Sequence, residues 1–374
     1  MAEEIYNEIK EKEKRLEYFM YSKGLDGIII SKAVNWAWIT AGRNDRIIYS
    51  SADSEINLLI TKDLKKYCIS ANVESPRLLK EDLGDLGYES IFFPWYEFDA
   101  RNIIIQKFIR GKKFASDSFI ENTEKLSDEF YLLRYPMIDS EINRYRLLGE
   151  LSRLAVEETA TEVEKGMTEQ QIAASVQCKI SKNGIFADVL MVGSDERIFE
   201  FRHPLTTEKK VNKYVMILIN ATKGGLCVAL TRLVHLGPLP QEIKIKMDKV
   251  TEIEAKIAVN CTPDKTMEDI TKVLINSYKE AGYPDEWKKH YQGGPIGYGI
   301  REYGYDWFPG STKKFYNKQA FNWNPTITGT KSEDTFLYID GNIEWLTFKE
   351  SKNWPIIKHY VDGKVIYRPH ILIK

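Results

Sequence analysis

Residues 290–303, HYQGGPIGYGIREY, and 321–334, FNWNPTITGTKSED, decide how this chain is read. They crowd turn glycines, two asparagines, the cations Arg301 and Lys331, and the carboxylates Glu302, Glu333 and Asp334 into a short span. So many polar groups do not make a core. The stretch is expected to form the floor of a pocket.

The rest of the chain sets the bounds. A length of 374 residues implies two domains or one large one. Hydrophobic residues make up 43% and charged residues 29%, the balance of an ordinary globular chain. The net charge of −1 carries no electrostatic footprint for nucleic acid or an acidic membrane. The N-terminal stretch MAEEIYNEIKEKEKRLEYF is charged and has no apolar core of a signal peptide. No apolar run reaches the length of a membrane span, so a cytoplasmic protein is expected. Cys68, Cys178, Cys227 and Cys261 are widely spaced and are expected to be buried free thiols.

Taken in order, residues 3–23 repeat apolar positions at helical spacing and stop at Gly24. Asp26–Ile30, Ile56–Ile60 and Tyr67–Ile69 read as strands and Ile103–Ile109 as a helix, which together imply an α/β layer. Leu133–Asp139, with Pro136, reads as a linker, and Asp139 or Ser140 is placed to cap the next helix. Ile142, Tyr145, Leu148, Leu151 and Ala155 lie on one face of that helix. Thr168-x-x-Gln171 then forms a capping box for a second helix.

The pattern returns. A helix over 242–260 is followed by Thr266-x-x-Asp269, which caps another ending at Ala281-Gly282. Each helix pair precedes strands: Tyr214–Asn220 with Leu226–His235 in one half, the 320–366 strands in the other. Turns are expected at Ala221–Gly225, Asp340-Gly341 and Asp362-Gly363. This is an internal duplication.

His290-x-x-Gly-Gly294, Gly297, Arg301 and Glu302, with Asn324-Pro325 and Lys331-Ser332-Glu333-Asp334, resemble the motifs of the prolidase, aminopeptidase P and creatinase superfamily. Asn35-Trp36-Ala37-Trp38-Ile39-Thr40-Ala41-Gly42 is similar to a stretch of creatinase-type N-terminal domains. The resemblance covers essentially the whole chain. It implies an α+β architecture: a creatinase-like α/β domain over 1–135, then a pseudo-symmetric pita-bread domain over 136–374 with its site in the cleft between halves.

Members with peptidase activity hold two divalent metals through two aspartates, one histidine and two glutamates. Here the corresponding positions read Asn220, Ala229, Gly294 and Asn324, and only Glu333 is kept. One carboxylate cannot hold two hard cations, so no cofactor and no dinuclear metal are expected. Two asparagines in place of acids keep a carbonyl oxygen while removing charge. Creatinase is the metal-free member, with a histidine as acid/base. By that resemblance His203, His290, Glu302 and Glu333 are the candidate catalytic residues. Arg301, Asn220, Asn324, Tyr298 and Lys331 are the candidate substrate-binding residues. A guanidinium at Arg301 suits a carboxylate.

Blander readings stand beside these. His203 before Pro204 reads equally as a surface histidine, and His290 in Lys288-Lys289-His290-Tyr291 as part of a solvated charge run. Lys331 and Glu333 could form a surface ion pair. His235, His359 and His370 read as structural or exposed. Tyr303, Tyr305, Trp307 and Phe308 suit a core or a dimer contact. The expected function is hydrolysis of a peptide, amide or other C–N bond of a small molecule or short peptide. The alternatives are an inactive binding module of the same fold and a metallopeptidase with divergent ligands. A homodimer is the expected assembly.

Overall fold

The computed structural model describes residues 2–43, 47–49, 51–302 and 310–374. Tyr303, Tyr305, Trp307 and Phe308 lie outside the described residues. Contacts divide the chain into two units, Met1–Glu141 and Ile142–Lys374.

The first unit is a helix-covered mixed sheet. The opening helix runs Ala2–Lys23. Six strands follow in the order Glu89–Phe93, Lys66–Ala71, Asp53–Thr61, Gly27–Lys32, Phe114–Ser116, Glu124–Lys125. The central Gly27–Lys32 strand is buried along nearly its whole length, as a strand covered on both faces must be. Ile29, Leu59, Ile69 and Phe114 pack there against Ile105 and Ile109 of the Ala100–Ile109 helix. Each such buried side chain contributes about 1.5–3 kcal/mol. The next helix begins at Asp139. Neither expected residue caps it: Asp139 is already helical, the Ser140 hydroxyl donates to Glu8, and the Glu141 carboxylate accepts from Ile138 N at 2.8 Å.

The second unit repeats one plan. Helix Asp139–Glu162 runs into it and is followed by Glu169–Ser181, and Gln241–Asn260 by Met267–Glu280. Thr168/Gln171 and Thr266/Asp269 both form complete capping boxes. Each capping threonine also makes an antiparallel bridge to a lysine further on, Thr168 to Lys210 and Thr266 to Lys314. Local chemistry and long-range pairing thus recur at matching places.

Each half closes on a four-stranded sheet. One runs Leu372–Ile373, Leu226–His235, Tyr214–Lys223, Phe186–Ser194; the other runs Gly293–Ile296, Gln319–Trp323, Asp334–Ile339, Asn342–Trp345. The Tyr214 and Leu226 strands run further into their turn than expected, so Gly224-Gly225 alone reverses the chain. Asp340-Gly341 and Asp362-Gly363 hold positive φ at both residues, the backbone a tight hairpin needs. All four cysteines are free, but Cys178 is exposed, contrary to expectation. Its place on the Glu169–Ser181 helix faces water, and the buried positions there are Glu169, Ile172, Val176 and Ile180. No described helix is long and apolar enough to cross a membrane.

Candidate active site

The two sheets meet where Leu226–His235 runs beside the start of Asp334–Ile339. Thr231 N donates to Glu333 O at 3.0 Å, and Ala229 N to Thr335 Oγ1 at 2.8 Å. Because side chains alternate along an extended chain, residues 331–334 point alternately to two sides. Lys331 and Glu333 share one side, and Ser332 and Asp334 the other.

On the first side, Lys331 Nζ lies 3.1 Å from Glu333 Oε2, with both side chains almost wholly buried at 2% and 3% exposure. The reading as a surface ion pair is therefore wrong: the pair is enclosed, where a broken partner costs far more than at a surface. Thr231 Oγ1 donates to the same Glu333 oxygen at 2.6 Å. Burial lowers the Lys331 pKa, Glu333 pulls it back up, and Arg301 lowers it further.

Asn324 has two amide orientations. In one its NH2 donates to the carbonyls of Tyr291 at 2.8 Å and Gln292 at 3.1 Å. In the other it reaches Glu333 Oε1 at 3.4 Å. The shorter bonds favour the first, which turns the amide oxygen towards Glu333.

His290 and His203 face one another. Their Nε2 atoms are 3.2 Å apart and the ring planes are inclined at 61°. At that distance one ring donates and the other accepts, so the contact needs at least one proton and one free lone pair. His290 is buried and its Nδ1 has no hydrogen-bond partner among the described residues, so it is not part of a solvated charge run. Its pKa lies well below the ordinary 6.5, first through burial, then through Lys331, His203, Arg202 and Arg301. His203 is exposed on its outer side. Its pKa is also lowered, by partial burial, then Lys331; Glu333 opposes and Arg301 adds to the lowering. Both rings are neutral near pH 7 and able to carry protons.

The supports of this pair come from segments whose role was not visible in the sequence. Tyr278 donates to Gln292 Oε1 at 2.8 Å, and Gln292 Nε2 donates to His290 O at 2.8 Å, so a helix from the second repeat holds the His290 backbone. Arg202, next to His203, donates to Glu286 at 2.6 Å and to Thr328 Oγ1 at 2.8 Å. That link ties the His203 loop of one half to the turn of the other. The only hint in the sequence is adjacency to named residues.

Arg301 lies over the Tyr291 ring, 4.0 Å from its centroid, a cation–π contact that fixes the guanidinium. Glu302 Oε1 accepts from Gly299 N at 2.9 Å and thereby closes the loop. Tyr298 is buried, 3.5 Å from Arg144 through its hydroxyl, and its carbonyl faces Cys227 Sγ. Asn220 pairs with Ala229 across the ladder and is half-exposed. The structure therefore gathers His203, His290, Arg301, Lys331, Glu333 and Asn324. Glu302 and Tyr298 are engaged in shaping the loop and its packing, and Asn220 stands on the neighbouring strand.

Behind the site, on the Ser332/Asp334 side, lies a buried charge network. Arg232 donates to Glu157 at 3.0 Å and to both oxygens of Asp334, at 3.1 and 3.2 Å. Arg368 donates to Glu254 at 2.8 Å and also pairs with Asp334. Glu254 accepts from Asp334 N at 3.0 Å and from the Ser332 hydroxyl. Arg153 completes it at 2.6 Å from Glu157. Burial pushes the Glu254 carboxyl up to about 7, against the pull of Arg368.

The residues present do not fit a dinuclear metal centre. Ala229 and Gly294 offer no ligand, and the amide oxygens of Asn220 and Asn324 carry no charge. Glu333 already accepts from Lys331 and Thr231. Among the described residues no group of three or more His, Cys, Asp or Glu converges. Hard divalent cations need several anionic oxygens and no ammonium beside them.

A model of metallopeptidase family M24 matches residues 143–343. An uncharacterized peptidase of Staphylococcus saprophyticus is 24% identical over 341 residues, covering 85% of this chain and 96% of that protein. The prolidase of Pyrococcus horikoshii superposes with a TM-score of 0.75 at 19% identity, over 91% of this chain and 99% of that one. The Xaa-Pro dipeptidase of Bacillus anthracis gives 0.73 at 17% identity, over 92% and 99%. The structural likeness establishes the pita-bread fold, and the family match covers more than half of the chain, so this protein belongs to metallopeptidase family M24.

Proposed function

We propose that this M24 member is a hydrolase of a peptide, amide or other C–N bond in a small molecule or short peptide, working without a dinuclear metal centre. The observation that carries the reading is the His203–His290 contact beside the buried Lys331–Glu333 pair. His290 is held from below by Gln292 and Tyr278, and His203 faces outward. In this reading His203 takes a proton from an attacking water and returns it to the leaving nitrogen, with His290 orienting it. Lys331 supplies the fixed positive charge facing the reacting carbonyl. No catalytic step passes through a metal.

His203→Ala is expected to lower turnover by about two to four orders of magnitude, the scale of a positioned acid/base. Its melting temperature should change little, because the ring is exposed on one side. Turnover unchanged in this variant would overturn the assignment. A second reading, a binding module without turnover, draws on Glu333 being already engaged by Lys331 and Thr231. Substrate screens that give ligand-induced thermal shifts but no product would favour it. Elemental analysis of protein purified without chelator tests the metal: two equivalents of manganese, cobalt or zinc, lost together with activity on chelation, would refute metal independence.

A further inference from the structure

The residues that replace the metal ligands do more than remove a cation site. They also take away its negative charge. Where two aspartates, a histidine and a glutamate would stand, there are Asn220, Ala229, Gly294 and Asn324, all neutral. The remaining carboxylate, Glu333, is matched by an enclosed ammonium 3.1 Å away. A second cation, Arg301, is fixed 4.0 Å above the Tyr291 ring. Arg202 adds a third on the His203 side, tied to Glu286 at 2.6 Å.

No side chain fills the place next to Gly294, and a buried polar atom lies close by in the chain. A Cβ placed on Gly294 would make ordinary contacts, to Met267 Cε at 3.6 Å and Tyr291 Oη at 3.8 Å, with no clash. His290 is more than nine-tenths buried, and its Nδ1 has no hydrogen-bond partner among the described residues. Burial is the first cause of the lowered pKa of both rings, and Lys331 and Arg301 add to it, while Glu333 opposes it at His203. A positive potential draws anions and repels divalent cations.

We propose that the cleft at Gly294 binds a small oxyanion, the carboxylate or phosphoryl group of its ligand, in the place where metal-dependent relatives hold their cations. The oxyanion is gripped by Arg301 and Lys331 and hydrogen-bonded by the His203–His290 pair. A guanidinium offers two parallel N–H donors to either group, and an ammonium a point charge. The proposal deepens the functional reading by naming the ligand class. It is tested by binding alone, so it stands or falls separately from turnover.

Wild-type protein is titrated by calorimetry at fixed ionic strength with inorganic phosphate, with acetate and with manganese or zinc chloride. One oxyanion is expected to bind saturably, one per chain, with a dissociation constant of about 1 mM or below. Tighter phosphate identifies a phosphoryl ligand, and tighter acetate a carboxylate. Arg301→Gln, at a half-exposed side chain that leaves the core intact, is expected to weaken that binding at least about tenfold. Lys331→Gln should do the same, with circular dichroism to show that the variant folds; if it does not, Arg301→Gln decides alone. Stoichiometric binding of the divalent metal by wild type would overturn the proposal. So would the absence of saturable anion binding, or anion binding that Arg301→Gln retains in full.

Discussion

Glu254→Gln tests the buried network through its pH dependence. Glu254 is completely buried among Arg368, Asp334 and Ser332, and burial lifts its carboxyl from an ordinary 4.5 to about 7. Between those two values the folded protein keeps a proton that the unfolded chain has released. The resulting stability is fully present below the unfolded value and is lost as the pH rises through the folded one. Each pH unit separating the two is worth about 1.4 kcal/mol, so the group makes stability fall by roughly 3 kcal/mol across the window. Glutamine keeps the shape and the hydrogen bond to Asp334 N but cannot titrate. Urea unfolding of both proteins at about pH 5 and about pH 8, at one salt concentration, isolates the effect as a difference of differences. Wild type should lose roughly 3 kcal/mol more than Glu254→Gln over that interval. Parallel pH profiles would show that Glu254 is ionised in the folded protein throughout, and the account of the network would be wrong.

Two further outcomes are expected. Gly293 has φ of +99°, and a Cβ there would sit 2.2 Å from Asn322 O. Gly293→Ala should therefore cost more than about 2 kcal/mol and loosen the His290 strand; a melting temperature near that of wild type would refute the packing at this position. Light scattering at micromolar concentration should return twice the mass of one chain, as the family resemblance implies, and a single-chain mass would reject the dimer.

What the sequence revealed, and what it hid, follows from range. Both capping boxes were legible because a threonine and an acceptor three residues on form a closed local unit. The Asp-Gly hairpins were legible for the same reason: backbone conformation is set by two adjacent residues. The two-half plan followed from the repeated helix pairs, and the α+β architecture from the family resemblance. Burial of Lys331 and Glu333 was not legible, because a Lys-x-Glu-Asp run looks alike at a surface and in an interior. Only the neighbouring strand, with Thr231 and Ala229, encloses it. Nor could the sequence show that Glu302 closes a loop while Lys331 lies among the histidines, since both stand in the same polar stretch. The network joining residues 153, 157, 232, 254, 334 and 368 has no local signature, because its partners are far apart in the chain.

The alternation of residues 331–334 bears on how the strand finds its register. Glu333 and Asp334 are adjacent carboxylates with opposite destinations, one beside Lys331 and one between Arg232 and Arg368. A slip of a single residue would turn Lys331 and Glu333 together towards the guanidiniums and bring Ser332 and Asp334 to the other side. The slipped register would set the Lys331 ammonium on the side of Arg232 and Arg368 and take Asp334 away from both. The hydroxyls add to the discrimination, because Ser332 is needed at Glu254 and Thr335 at Ala229, and a slip in one direction would present Glu333 to Glu254 instead. An enclosed carboxylate facing another carboxylate without a proton is among the costliest errors a fold can make. The network therefore acts as a proofreading element. Arg232 and Arg368 favour an acid at position 334 and Glu254 a hydroxyl at position 332, so the native alignment of the strand that carries the site is favoured over its neighbours.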